Sequence, residues 1–334
     1  MENRKQIPDW AIRYDFNWHS NPASKHFSKT LFDKSYVRPV VNEAWEIIKG
    51  NRENSDASIK DMHEAQKVID KFQYDSAPMC LGRTVQTICD ARLLPLDELN
   101  RIFKTTDRLE VEKKARHSLE TYVPYEHAKD DDLRAKACLE VLDNTVEQAM
   151  KGLEHTFRLL GLNQWEGEKD VFIEDLNGID LKYFLKPDYC NLIELKVRTP
   201  GIRKNSKKGW AKGSLPSTPY PGWLNQVSAY HHVTKRQPAI IVANDTDYRI
   251  FHPDEEDSFT EPDRLHMTWE NIEQDLRIHE RILKQAHRIS VEEGLNPEDS
   301  LKTLLRSVVP DWSHISWSNL NPEVFDQAKS LWGY

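Results

Sequence analysis

A mixed α/β fold, with a central β-sheet flanked by helices and helical additions at both ends, is what this sequence predicts, on three observations. Residues 179–185 and 191–198 alternate apolar and polar side chains, the period-two pattern of strands that bury one face. The run AIIVA at 239–243 is short, apolar and rich in branched residues, and it reads as a further strand. Stretches such as 133–160 carry apolar residues three and four apart, which is the spacing of a helix with a buried stripe.

Taken in order, residues 1–38 are polar and aromatic, and Trp10, Tyr14, Phe16 and Trp18 are expected to anchor an arm on the main body. A helix over 40–49 should stop at Gly50, and another over 56–72 places Ile59, Met62, Ala65, Val68 and Ile69 on one face. Helices are expected over 81–93, 95–103 and 108–122. The acidic run Asp130–Asp132 reads as a helix opening, where negative charge favours the dipole. That helix should run to Leu160 and end at Gly161, burying Leu139, Leu142, Val146, Ala149, Leu153, Phe157 and Leu160. Strands follow over 169–175, 179–185, 191–198, 239–243 and 248–251, the last two joined by Asn-Asp-Thr-Asp, a turn sequence. Thr268 is expected to cap a helix running to Gly294 with Trp269, Ile272, Leu276, Leu283 and Ala286 inward, before a shorter one over 297–308. The tail residues Trp312, Trp317, Phe325, Trp332 and Tyr334 are expected to dock on the body. There is no internal repeat and no P-loop pattern.

Composition narrows the function. A net charge of −8 over 334 residues argues against a generally basic coat, so any nucleic-acid contact must be local. Such a locality exists: residues 195–244 contain no Asp or Glu but nine lysines and arginines. Six of them, Arg198, Arg203, Lys204, Lys207, Lys208 and Lys212, lie with Trp210 in a loop bearing Gly, Ser and Pro, suited to clamp phosphates. The four cysteines, Cys80, Cys89, Cys138 and Cys190, form no CxxC pair and read as reduced thiols. Residues 1–10 hold no apolar targeting segment and no run reaches membrane-spanning length, so a soluble, cytoplasmic protein with no membrane partner is expected.

The chemistry is expected in residues 177–198. If the two alternating strands pair through the Pro-Asp-Tyr-Cys-Asn turn, one face packs on the core and the other gathers Asp180, Glu194 and Lys196. Two carboxylates at close range call for a cation between them, and hard oxygens suit Mg²⁺ or Mn²⁺. A lysine beside them would orient or help deprotonate a water and offset charge growing on a phosphate. Asp188, in the turn, stands as the alternative aspartate. Downstream, Gln226 and Tyr230 are four apart, hence on one helical face.

In this order and spacing, GIDL, IELK, QxxxY and AIIVA resemble the PD-(D/E)xK nuclease superfamily, in particular its RecB-like and phage-type exonuclease branch, over about residues 81–253. The resemblance implies a restriction-endonuclease-like core within residues 76–255, an N-terminal arm and helices over 1–75, and a C-terminal helical region over 256–334. It assigns catalytic roles to Asp180, Glu194, Lys196, Gln226 and Tyr230. Asp180 and Glu194 would bind metal, joined by Glu168 (or Glu166) from the preceding strand and by Gln86, which stands where the family has a histidine. It implies a Mg²⁺- or Mn²⁺-dependent DNA exonuclease acting from an end of linear DNA, with no covalent intermediate, in recombination, repair or DNA degradation. A recombination or single-strand-binding protein is the expected partner. No iron–sulfur cluster and no nucleotide cofactor are expected, since the cysteine spacings do not match the cluster-bearing relatives. The alternatives are a structure-specific or restriction-like endonuclease and a non-catalytic nucleic-acid-binding member.

Overall fold

The computed structural model describes the chain apart from residues 1–6, 14–15, 21–28, 30–31, 54–58, 73–75, 125–129, 175, 256, 297–298, 301, 303–309, 311, 313–316, 318–320 and 334. Two compact units emerge. A sheet unit comprises Asp75–Phe172 and Phe184–Asn271, and a terminal unit comprises Met1–Tyr74, Ile173–Tyr183 and Ile272–Tyr334. The two ends of the chain, expected as separate additions, therefore fall in one unit together with a short excursion from the middle.

Helices α1 (Asp9–Arg13), α2 (Arg38–Glu53) and α3 (Ile59–Phe72) precede α4 (Ala77–Leu93), α5 (Leu96–Phe103), α6 (Arg108–Glu120) and α7 (Asp131–Leu159). Strands β1 (His19–Ser20), β2 (Val171–Ile173) and β3 (Tyr183–Leu185) are short, and β4 (Ile193–Val197) is followed by β5 (Gly201–Ile202) and β6 (Trp210–Ala211). Then come α8 (Pro221–Thr234), β7 (Ala239–Ala243), β8 (Tyr248–Phe251), α9 (Pro262–Glu293) and α10 (Pro322–Leu331).

The sheet unit is built on β4-β7-β8, in that order. β4 runs parallel to β7, with Ile193 opposite Ala239 and Val197 opposite Ala243, and α8 makes the crossover that parallel pairing requires. β8 returns antiparallel beside β7. The period-two reading of β4 holds: Ile193, Leu195 and Val197 enter the main core with Ala239, Ile241 and Ala243. Helix α7 covers that face. Its Gly152 lies so close to the sheet that a Cβ there would stand 2.8 Å from Ile241 and 3.2 Å from Tyr248. A fully buried side chain such as Ile241 contributes about 1.5–3 kcal/mol.

Four expectations are corrected. The strands over 179–185 and 191–198 do not form a hairpin: β3 belongs to a separate sheet ordered β1-β3-β2, and only Tyr183–Leu185 of its run is strand. Non-local pairing with the wholly buried β7 outweighs the nearer partner. Thr268 does not cap α9; Pro262 opens it, and the Thr268 hydroxyl donates to the Arg264 carbonyl at 2.8 Å inside the helix. Leu139 is 38% exposed, and the stripe of α7 instead passes through Cys138, Leu142, Val146, Ala149 and Leu153. Gly50 does not stop α2, which runs on to Glu53.

In the terminal unit the aromatic tail packs inward. Trp317, Val324 and Ala328 are buried with Phe32, Val41, Ile48, Ala65 and Ile69, and Trp312, Phe325 and Trp332 pack against them. Trp10, Ala11 and Phe16 form a second cluster with Leu181, Leu283 and Ala286. Trp18 is 41% exposed. Tyr14, Tyr334 and most of the helix expected over 297–308 lie outside the described residues.

Candidate active site

Because the odd residues of β4 enter the core, Glu194 and Lys196 share the opposite face. Glu194 is 2% exposed. The Tyr230 hydroxyl of α8 donates to its Oε2, and the Lys196 ammonium donates to its Oε1. Tyr230 is 1% exposed, so this brace is built into the core and its position is fixed by packing.

The second carboxylate is Asp188. Cys190 and Asn191 both adopt left-handed backbone, with φ of 52° and 56°, the geometry of a tight two-residue reversal. Tyr189 and Ile193 then exchange backbone hydrogen bonds of 3.2 and 3.0 Å, and Asp188 is folded back along β4. Its Oδ2 accepts the Leu195 N–H at 2.7 Å, occupying an edge position where a neighbouring strand would otherwise sit. Its Oδ1 accepts from Gln86 Nε2 at 3.2 Å. Gln86 thus reaches the site from α4, as a hydrogen-bond donor to the carboxylate.

The electrostatics are those of carboxyls packed out of water. Burial raises the Asp188 carboxyl well above the ordinary range, and repulsion from Glu194 adds to it, while Lys196 and the Leu195 N–H oppose. Burial pulls Lys196 down, but Glu194 and then Asp188 more than offset this and leave it raised; it is a firmly held cation. Asp90, one helical turn after Gln86 and 5% exposed, is pushed up to about 7 by burial, against a hydrogen bond from Tyr189 and with added repulsion from Glu168. One Asp90 oxygen is buried without a hydrogen-bond partner. Sequence reasoning missed Asp90, although its spacing of four from Gln86 places both on one helical face.

Other predicted residues lie elsewhere. Asp180 belongs to the terminal unit, where its carboxylate takes Lys284 at 2.8 Å and the Trp10 indole at 3.4 Å. It is not on a strand, and it is Asp188 that stands beside Glu194. The signal was the literal Pro187-Asp188 ahead of Glu194 and Lys196. Glu168 pairs with Lys186 and Glu166 with Lys169 at 2.9 Å, so each already has a cation. Gln226 is half-buried on α8, one turn before Tyr230.

The basic loop is more ordered than expected. β5 and β6 form an antiparallel ribbon closed by hydrogen bonds of Arg203 N to Gly209 O at 2.9 Å and Gly209 N to Ser206 O at 3.0 Å. Lys204 pairs with Asp130 at 3.0 Å and Lys208 with Glu140 at 3.3 Å. The Lys208 ammonium also lies 4.9 Å from the centre of the Trp210 ring. Arg203, Lys207 and Lys212 are exposed, and the Arg198 guanidinium lies over the Tyr220 ring at 5.6 Å.

Among the described residues, no three His, Cys, Asp or Glu side chains are gathered closely enough to hold a metal ion. The pair Asp188 and Glu194, with the unpartnered Asp90 oxygen nearby in α4, is a donor set of hard oxygens that fits a divalent cation. Among the described residues no helix is long and apolar enough to cross a membrane. Compared with known proteins, the chain matches no family model, no curated protein and no solved structure.

Proposed function

We propose that this chain is a divalent-cation-dependent deoxyribonuclease, acting from DNA ends, whose sheet unit is a restriction-endonuclease-like core. The observation that carries the reading is the Asp188–Glu194–Lys196 cluster at the edge of β4, braced by Gln86 and Tyr230. Asp188 and Glu194 would hold the cation, and Asp188 replaces Asp180 in the assignment. When bound, Mg²⁺ or Mn²⁺ would supply Lewis-acid polarisation of a phosphate and a lowered pKa for water.

The chain's own residues do the rest. Lys196, held as an ammonium, donates to the attacking water or to the phosphate oxygen and offsets charge growing there. Tyr230 fixes the Glu194 carboxylate through its hydroxyl, and Gln86 with the Leu195 N–H fixes that of Asp188. Arg203, Lys207 and Lys212 on the ribbon present cations for the strand's phosphates, and Trp210 offers an aromatic face. Hydrolysis then proceeds by attack of water on phosphorus, with no enzyme-bound covalent intermediate.

The test is to incubate end-labelled linear DNA and closed circular DNA, each single- and double-stranded, with Mg²⁺ and with EDTA. Mg²⁺-dependent shortening of linear DNA, with circles spared, is expected. Cutting of circles as fast as linear molecules would replace the exonuclease reading with an endonuclease one. No cleavage of any substrate would remove catalysis from the assignment.

A further inference from the structure

The terminal unit carries a second concentration of positive charge. On α9, Arg277, Arg281, Lys284 and Arg288 follow one another at spacings of four, three and four. At 100° per residue these fall within an arc of about 60°, so they form one stripe about 16 Å long. With Gly178 and Gln285 they line an open cleft of about 410 Å³. The stripe's direction is set by the opposite side of the helix, where Leu283 and Ala286 are buried.

The cleft is a built feature. Beneath it, the buried Glu280 carboxylate accepts from the backbone N–H groups of Asp180 and Leu181 at 2.8 Å each and lies 3.0 Å from the His19 ring nitrogen. These bonds tie the 178–181 segment to α9. Arg277 is fixed by Glu273 at 2.8 Å and by the Asn177 carbonyl at 2.9 Å. Lys284 is fixed by Asp180 at 2.8 Å and Glu280 at 3.3 Å.

The other two cations are not spent in this way. Arg281 is exposed and has no ion pair among the described residues. Arg288 has a distant one, 3.8 Å from Glu292, with both side chains 64% exposed. Like charges one turn apart destabilise a helix by a few tenths of a kcal/mol, so the fold's own stability does not call for Arg281 and Arg288 beside the two cations that are fixed.

We propose that the cleft is a second phosphate track, which binds the backbone of a nucleic-acid strand apart from the ribbon of the sheet unit; this rests on the reading that the chain handles nucleic acid. Guanidinium forks match phosphate oxygens in pairs. A stripe of about 16 Å faces several consecutive phosphates, which recur every ~3.4 Å along one strand of duplex and more widely in an extended strand. The lining contains no apolar side chain to anchor a peptide, whereas protein partners are held by buried apolar and aromatic anchors.

The test uses the full chain in EDTA, so that binding is read without cleavage. Labelled 30-nucleotide single-stranded DNA is titrated by fluorescence anisotropy at several salt concentrations. The variant Arg281→Ala/Arg288→Ala should bind roughly ten- to thirtyfold more weakly at 0.1 M salt, and its slope of log K against log salt should flatten by about 1.4, two single-strand contacts' worth. The control Lys49→Ala/Lys67→Ala, on exposed helix positions of the same unit, should bind as the parent does. The parent's circular dichroism and melting temperature should be kept by both variants. An unchanged slope in the arginine variant overturns the proposal while leaving the nuclease reading intact. Competition by poly-glutamate as effective as by DNA of equal charge overturns it in favour of an acidic protein partner. A parent that binds no DNA overturns both readings, and one that binds through this stripe but cleaves nothing with Mg²⁺ overturns only the catalytic one.

Discussion

Replacing Asp90 by asparagine should stabilise the protein at alkaline pH and not at acidic pH. The carboxyl rises from its ordinary value of 3.8 to about 7 in the fold, so the native state holds this proton more tightly than the unfolded chain. The sign follows: below pH ~4 both states are protonated and there is no penalty. As pH rises toward 7 the unfolded chain ionises first, and stability falls by about 1.36 kcal/mol per unit. Above pH 7 the full penalty, at most about 4 kcal/mol, is in place. Asparagine never ionises, and its amide oxygen can still accept from Tyr189. Between pH 5 and pH 8 the advantage of Asp90→Asn over the parent should therefore grow by about 2–3 kcal/mol. Urea denaturation at the two pH values, followed by circular dichroism in EDTA, reads this directly. An advantage that is equal at pH 5 and pH 8 would show that Asp90 is not held protonated, and the account of its carboxyl as one raised by burial would fail with it.

Further predictions concern the cluster and its surroundings. Asp188→Asn should lower Mg²⁺-dependent DNA cleavage by at least about a thousandfold while binding in EDTA persists, and Asp180→Asn should retain most activity; the reverse pattern would return the assignment to Asp180. Tyr230→Phe should reduce cleavage by roughly ten- to a hundredfold, because a hydrogen bond to a charged group contributes about 1.5–3 kcal/mol; a parent-like rate would make Tyr230 a packing residue only. Gly213→Ala places a Cβ 2.4 Å from the Thr199 carbonyl oxygen, which is backbone and cannot swing away. It also disturbs the 2.7 Å bond from Asn244 Nδ2 to the Gly213 carbonyl. A lower melting temperature and weaker DNA binding are expected, and unchanged values of both would mean that the ribbon's base is more yielding than its packing indicates.

The sequence by itself determined what depends on local periodicity. Alternation placed Ile193, Leu195 and Val197 in the core and Glu194 and Lys196 opposite them. A spacing of four put Gln226 and Tyr230 on one face of α8, and three-four spacing located α7 from Asp131 to Leu159. The acid-free segment 195–244 was visible as charge alone. Each of these is fixed by the repeat of a helix or strand and needs no knowledge of what lies across from it.

Which aspartate joins Glu194 was decided only by tertiary structure. Asp180 and Asp188 sit on the two sides of a short strand, and period two does not rank them. The choice came from two left-handed residues, Cys190 and Asn191, and from β4 pairing with a strand more than forty residues away. That pairing leaves the Leu195 N–H at an edge for Asp188 to cap. The ion pairs that order the ribbon, Lys204 with Asp130 and Lys208 with Glu140, join residues far apart in the chain. So do the bonds that fold residues 173–183 in with both termini. Burial raises the carboxyls of Asp90 and Asp188 because desolvation depends on every neighbour packed around them, a sum that no local stretch of sequence contains.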